Sequence, residues 1–142
     1  GVQTCALPIY TFVPSPLAES RWLGLYAAAK GYDGMLRWAA FNWPRDPLFD
    51  ASYLGMHGRF GWTPGDAFIL YPDGRPSLRW MSLRDSIENF EKIAILRREG
   101  RFADGLARAL ESLEVHPGES RTAGDDRVEA EIDRASRRGS HL

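Results

Sequence analysis

The sequence predicts an α/β fold, and more narrowly the C-terminal portion of a (β/α)8 TIM-type barrel that is incomplete in this chain. Two short apolar runs, 34–43 and 67–71, show neither a helical stripe nor apolar/polar alternation, the pattern of strands covered on both faces. Helical periodicities alternate with these runs, which implies a parallel sheet. The chain has 142 residues, whereas a closed barrel needs about 250.

The elements follow in chain order. Residues 1–9, Gly1-Val2-Gln3-Thr4-Cys5-Ala6-Leu7-Pro8-Ile9, are similar to a translated sequencing adapter. They are expected to be non-native and to add nothing to packing, which places the natural start of the chain further upstream. Tyr10-Thr11-Phe12-Val13 is β-prone and reads as the tail of a strand. Ser15-Pro16 then supplies a helix N-cap and first position. Ala18, Trp22, Leu25, Tyr26 and Ala29 keep helical spacing up to a stop at Gly31.

The central strand, 34–43, should end at Trp43 because Pro44 has no N–H and disfavours helix in the residue before it. A long irregular stretch follows to Gly65, with room for a short helix near 49–54. The second strand, 67–71, closes at the turn signal Pro72-Asp73-Gly74. Ser77 caps a helix over about 78–98, whose apolar stripe is Leu83, Ile87, Phe90 and Ala94, widened by Trp80, Ile93 and Leu96. Gly100 ends it. A further helix over 102–115 is weakened by Gly105 and broken by His116-Pro117-Gly118. The barrel portion is therefore assigned to 10–115. The charged tail, 116–142, is expected to be a frayed, solvated helix or disorder.

Composition narrows the function. Apolar content is 44% and the formal net charge −1, so no broad polyanion-binding surface is indicated and nucleic acid is not expected as a partner. No apolar run approaches the ~20 residues of a membrane span, so no membrane partner is expected. The single cysteine excludes an internal disulfide. The three histidines (His57, His116, His141) lack metal-ligand spacing. Dinucleotide, P-loop, zincin and nucleophile-elbow motifs are all missing, and neither a metal nor a cofactor is expected. All five tryptophans fall between Trp22 and Trp80. Such a concentration suits either a core or a pocket for a ligand with flat apolar faces, such as a sugar.

Four blocks carry a resemblance. They are Thr11-Phe12 and Ser15-Pro16 followed by Glu19 and Arg21-Trp22; then Gly31-Tyr32-Asp33-Gly34, Leu36-Arg37-Trp38-Ala39 and Trp43; then Gly65-Asp66 and Tyr71-Pro72; and last Ser77, Arg79, Leu83-Arg84-Asp85, Ile87-Glu88 and Phe90-Glu91. In this order they resemble the C-terminal part of the glycoside hydrolase family 123 catalytic domain, also catalogued as a domain of unknown function. The likeness covers about Tyr10 to Leu96. It departs at Phe41, where the family usually has Asn, and at Met81, Ser86, Asn89 and Phe90, where Glu, Gly, Asp and Tyr are usual.

The resemblance implies a (β/α)8 barrel, a glycan substrate ending in N-acetyl-β-galactosamine, and retaining, substrate-assisted hydrolysis, in which the 2-acetamido oxygen attacks the anomeric carbon. An Asp orients that acetamide and the adjacent Glu protonates the leaving oxygen. No Asp-Glu dipeptide occurs in this sequence. The remainder of the barrel, with the catalytic pair, is accordingly expected upstream, and no residue of this chain is assigned a catalytic role.

Substrate contact falls instead on three residues at the expected C-terminal strand ends: Trp43, to stack on a sugar face, and Asn42 and Tyr71, to hydrogen-bond hydroxyls. Each has a structural alternative, Trp43 and Tyr71 as rim packing and Asn42 as a turn residue. Asp66, Trp22 and Trp38 read as structural, and Arg79, Arg84, Asp85, Glu88 and Glu91 as ion-pairing residues. A non-catalytic carbohydrate-binding or structural domain is the competing function.

Overall fold

The structure, a computed structural model, describes residues 15–37, 39–43, 46, 53–54, 61–62, 68–113 and 122–137. Residues 1–14, Trp38, Asp66, His57, His116, His141 and most of the stretch between Pro44 and Gly65, including most of the short helix expected there, lie outside them. The elements are α1 (Leu17–Ala29), β1 (Tyr53–Leu54), β2 (Gly61–Trp62), α2 (Leu78–Arg98), α3 (Asp104–Glu111) and α4 (Thr122–Arg137).

This is a helical fold, and the expected portion of an α/β barrel is not present among the described residues. Strand pairing there is limited to β1 against β2, antiparallel over two residues each, and two isolated antiparallel bridges, Phe41 with Phe68 and Leu70 with Pro76. Of the expected central strand only Phe41 is in a bridge. Met35 and Leu36 are 44% and 72% exposed, so the apolar run is a surface segment rather than a doubly covered strand. Of the described residues of the second run, only Ile69 is deeply buried.

The reason lies between α1 and α2. The Gly24 N–H donates to Ser86 Oγ at 2.6 Å, which brings the two helix backbones together, and their apolar faces are buried with α3 and α4 in one helical core. The helices run side by side and parallel. Arg79 Nη2 donates to Ser15 O (2.6 Å) at one end, and Arg97 Nη2 donates to Ala28 O (2.8 Å) at the other. Burial of the Arg79 guanidinium lowers its pKa, and the charge of Glu19 partly restores it.

Both helices stop as the glycines suggest. Gly31 and Gly100 each take φ +68°, and Tyr32 N–H to Ala27 O (2.9 Å) and Arg101 N–H to Leu96 O (2.8 Å) close the turn. Ser77 is the N-cap of α2, accepting from Trp80 N–H at 3.2 Å. At α1 the cap position is Pro16, with no side-chain cap bond, one residue later than Ser15.

The buried face of α2 matches the expected stripe only in part, at Leu83, Ile93 and Leu96. It carries Leu83, Ser86, Asn89, Ile93 and Leu96, while Ile87 is 54% exposed. Ser86 is inside because it meets Gly24, and Asn89 because its amide donates to Glu129 Oε1 at 2.8 Å. Helix α3 is shorter than expected at both ends. The glycine near its start, Gly105, lies where the Glu131 carboxylate of α4 comes close.

The charged stretch after 118 holds α4. Val128, Ile132 and Ala135, spaced four and three apart, are buried in the common core with Trp22, Leu25 and Leu106. Glu129 ties α4 to both other long helices: Arg21 of α1 donates to it through Nε at 2.7 Å and through Nη2, and Asn89 of α2 donates at 2.8 Å. Arg101 closes the far end, Nη2 donating to Ala135 O (2.8 Å) and Ser136 O (2.6 Å). Replacing Glu129 by Ala removes the acceptor of the buried Asn89 amide and one carboxylate partner of Arg21, which still faces Asp126 at 3.6 Å. The urea-derived stability is expected to fall by ~1–3 kcal/mol, and less for Glu129→Gln, which keeps an acceptor for Asn89.

Candidate functional site

The three expected contact residues lie on two neighbouring segments, Asn42 and Trp43 on one and Tyr71 on the other. After α1 the chain turns at Gly31, and the segment 39–43, bent at Ala40, lies against 68–70. Ala40 O accepts from Ile69 N–H at 2.9 Å, and Phe41 bridges Phe68. The second segment folds back on itself at once. Tyr71 N–H donates to Arg75 O and Gly74 N–H to Tyr71 O, both at 2.9 Å, with Gly74 at φ +82°. Ser77 anchors this turn to α2 by donating its hydroxyl to Ile69 O at 2.5 Å.

Trp43 is half-buried, and its indole Nε1–H donates to Leu70 O at 2.8 Å. That bond fixes the ring beside the segment carrying Tyr71. The Phe41 ring, 65% exposed, has its centroid 6.2 Å from that of Trp43. Residues two apart on an extended chain share a face, so Phe41 and Trp43 form one aromatic strip. Asn42, between them, is exposed. Tyr71 is 44% exposed, and the Arg75 guanidinium carbon lies 5.4 Å from its ring centroid.

Phe41 and Arg75 were not among the expected site residues. The sequence marks Phe41 only as a departure from the family pattern, and the signal for it as a neighbour of Trp43 is their i,i+2 spacing. Arg75 was hidden by the turn that returns it over Tyr71. Trp22, by contrast, is fully buried and stacks on Tyr26 with centroids 4.4 Å apart, a structural placement.

Phe41 and Trp43 offer flat apolar faces, Tyr71 and Arg75 a phenol and a guanidinium, and the alternation that pairs the two rings turns the Asn42 amide to the other side of its segment. The nearby carboxylate, Asp73, accepts from Arg75 N–H (3.0 Å) and Arg75 Nε (2.5 Å). The backbone N–H of Arg75, above all, holds Asp73 below the ordinary carboxylate range. Both contacts lie within the Tyr71–Arg75 turn, so Asp73 serves as a turn residue. Arg84, expected to ion-pair, does so with Asp85 (2.9 Å) and Glu88 (3.5 Å) on the far face of α2. Among the described residues no group of three or more His, Cys, Asp or Glu is placed to hold a metal ion, and no helix is long and apolar enough to cross a membrane.

A comparison with curated proteins found no match. Comparison with protein families matches residues 3–96 to one described as glycoside hydrolase 123, catalytic domain. The matched span takes in α1, the aromatic strip, the Tyr71 turn and nearly all of α2, while α3 and α4 lie beyond it. Two thirds of the sequence is thus accounted for by one family, and the chain belongs to the glycoside hydrolase 123 catalytic-domain family.

Proposed function

We propose that this chain supplies sugar-contacting surface to a glycoside hydrolase acting on N-acetyl-β-galactosaminyl or related amino-sugar glycosides by substrate-assisted, retaining hydrolysis. The observation that supports this reading is the Trp43 ring, fixed by its hydrogen bond to Leu70 O beside the exposed Phe41 face, in a chain of this family. In this reading Trp43 stacks on the apolar face of the sugar, and Asn42 and Tyr71 hydrogen-bond its hydroxyls or acetamide. The sequence has no Asp-Glu dipeptide. The pair that orients the acetamide and protonates the leaving oxygen is therefore assigned to residues outside these 142.

The test is a titration of the purified chain with methyl N-acetyl-β-galactosaminide, followed by tryptophan fluorescence and by ligand-observed NMR. Saturable, millimolar binding is expected. Trp43→Ala should weaken it ~10-fold, equivalent to ~1.4 kcal/mol, while Trp43→Phe, which keeps a ring, retains most of it. The same chain should release no aryl alcohol from aryl N-acetyl-β-galactosaminide, since general acid catalysis alone typically contributes ~10²–10⁴-fold. Absence of saturable binding, or binding indifferent to Trp43→Ala, overturns the assignment. Heat-labile turnover overturns the placement of the catalytic pair. Binding without turnover even when the chain is completed by an Asp-Glu-bearing segment would favour a purely carbohydrate-binding domain.

A further inference from the structure

The solvent face of α2 carries a second pattern, unrelated to the aromatic strip. Trp80, Arg84, Ile87, Glu91 and Ile95 are spaced four, three, four and four apart and so share one side of the helix. All are open to solvent: Trp80 is 37% exposed, Ile87 54% and Ile95 38%, the Arg84 side chain 53%, and Glu91 is exposed as well. Apolar and charged residues alternate along this seam, and its two halves are complementary when one copy is reversed. With the midpoint between residues 87 and 88, Trp80 faces Ile95, Arg84 faces Glu91, and the two Ile87 side chains meet at the centre.

We propose that this face is the docking surface for a second copy of the chain. Two α2 helices pack antiparallel about a twofold axis, each burying Trp80 against Ile95 of the other and exchanging an Arg84–Glu91 ion pair at each end of the central Ile87 contact. Such an interface is isologous and closes on itself, which is the commonest oligomer symmetry. Charge complementarity fixes its direction: in a parallel pairing in register, each Arg84 would face Arg84 and each Glu91 would face Glu91, whereas the antiparallel pairing joins opposite signs twice. Arg84 already reaches Asp85 and Glu88 on its own helix, so it is held on this face before the partner arrives. The seam from Trp80 to Ile95 is only ~22 Å long at 1.5 Å per residue. An interface built on it falls in the small, weak class.

Sedimentation velocity of the full 142-residue chain over a concentration series tests this. The expected result is a monomer that converts to a dimer with rising concentration. Ile87→Asp should abolish association. Arg84→Glu makes both facing charges negative and Glu91→Arg makes both positive, so each variant alone should lose self-association by ~10-fold or more. Mixing these two variants restores opposite charges at both ends and should give a heterodimer, a result that a misfolded variant cannot produce. A chain that stays monomeric to ~1 mM, a dimer indifferent to the single charge changes, or a mixture that does not associate would each overturn the proposal.

Discussion

Gly24→Val is expected to separate α1 from α2 and to cost more stability than any other change on α1 of similar size. A Cβ placed at Gly24 would lie 2.6 Å from Ser86 Oγ and 2.8 Å from the Ser86 carbonyl carbon, and closer still to the carbonyl oxygen. Two of these atoms are backbone, so no side-chain rotation removes the overlap, and the helices must move apart. Overpacking of this kind costs ~1–3 kcal/mol. Separation also breaks the bond from Gly24 N–H to Ser86 Oγ, a further ~0.5–1.5 kcal/mol.

Against this, replacing a mid-helix glycine by alanine gains ~1 kcal/mol in helix propensity. Gly24→Ala should therefore show a smaller net loss, and Gly24→Val, β-branched and bulkier, the larger one. With ~3–4 °C per kcal/mol at this chain length, Gly24→Val should lower Tm by ~5–15 °C in a melt followed by circular dichroism. Adding Ser86→Gly to Gly24→Val should not restore it, because the Ser86 backbone remains in the way. Full rescue by that second change would show that the hydroxyl alone sets the distance.

The same contact explains why the helices were legible in the sequence and their surroundings were not. Caps and stops are local chemistry, so Ser77, Gly31 and Gly100 mark helix ends from sequence alone. Whether an apolar run becomes a buried strand depends on what lies beside it. Residues 34–43 have the composition of a doubly covered strand, yet what covers such a run is decided elsewhere in the chain, and here α1 and α2 pack on each other at Gly24 and Ser86 within a helical core. Met35 and Leu36 are left at the surface. Nothing within 34–43 reports that approach, and the polar Ser86 responsible for it counts against burial in any hydrophobic stripe.

Of the candidate site, Trp43, Asn42 and Tyr71 were identifiable as residues ending apolar runs, and the structure places them on neighbouring segments. Their relation to one another depends on antiparallel bridging of 40–43 with 68–70 and on the turn that lays Arg75 over Tyr71. Those are tertiary facts. The i,i+2 spacing of Phe41 and Trp43 was visible, but it indicates only that the two rings share a face, and an interior face was as consistent with it as a surface.

Ile132→Asp should release α4 from the core, the other large effect expected. Its composition conceals this helix: the described part of α4 is mostly charged, and only Val128, Ile132 and Ala135 turn inward, at 0%, 1% and 4% exposure. Truncating a fully buried isoleucine costs ~2–5 kcal/mol. An aspartate in its place adds the penalty of an unpaired charge among Leu106, Leu110 and their neighbours, unless the site opens to water or the carboxyl stays protonated. Domain stabilities are only ~5–15 kcal/mol, so undocking α4 is the less costly outcome. It exposes the faces of α1 and α3 that α4 covers and removes Glu129 from Arg21 and Asn89. Hydrogen exchange should then show the α4 amides losing protection first, with the α1 and α2 amides near Gly24 and Ser86 retaining more. The remaining helices should melt at a Tm lower by ~10 °C or more. Retained protection in α4 together with an unchanged melt would mean that its apolar stripe adds little to the core.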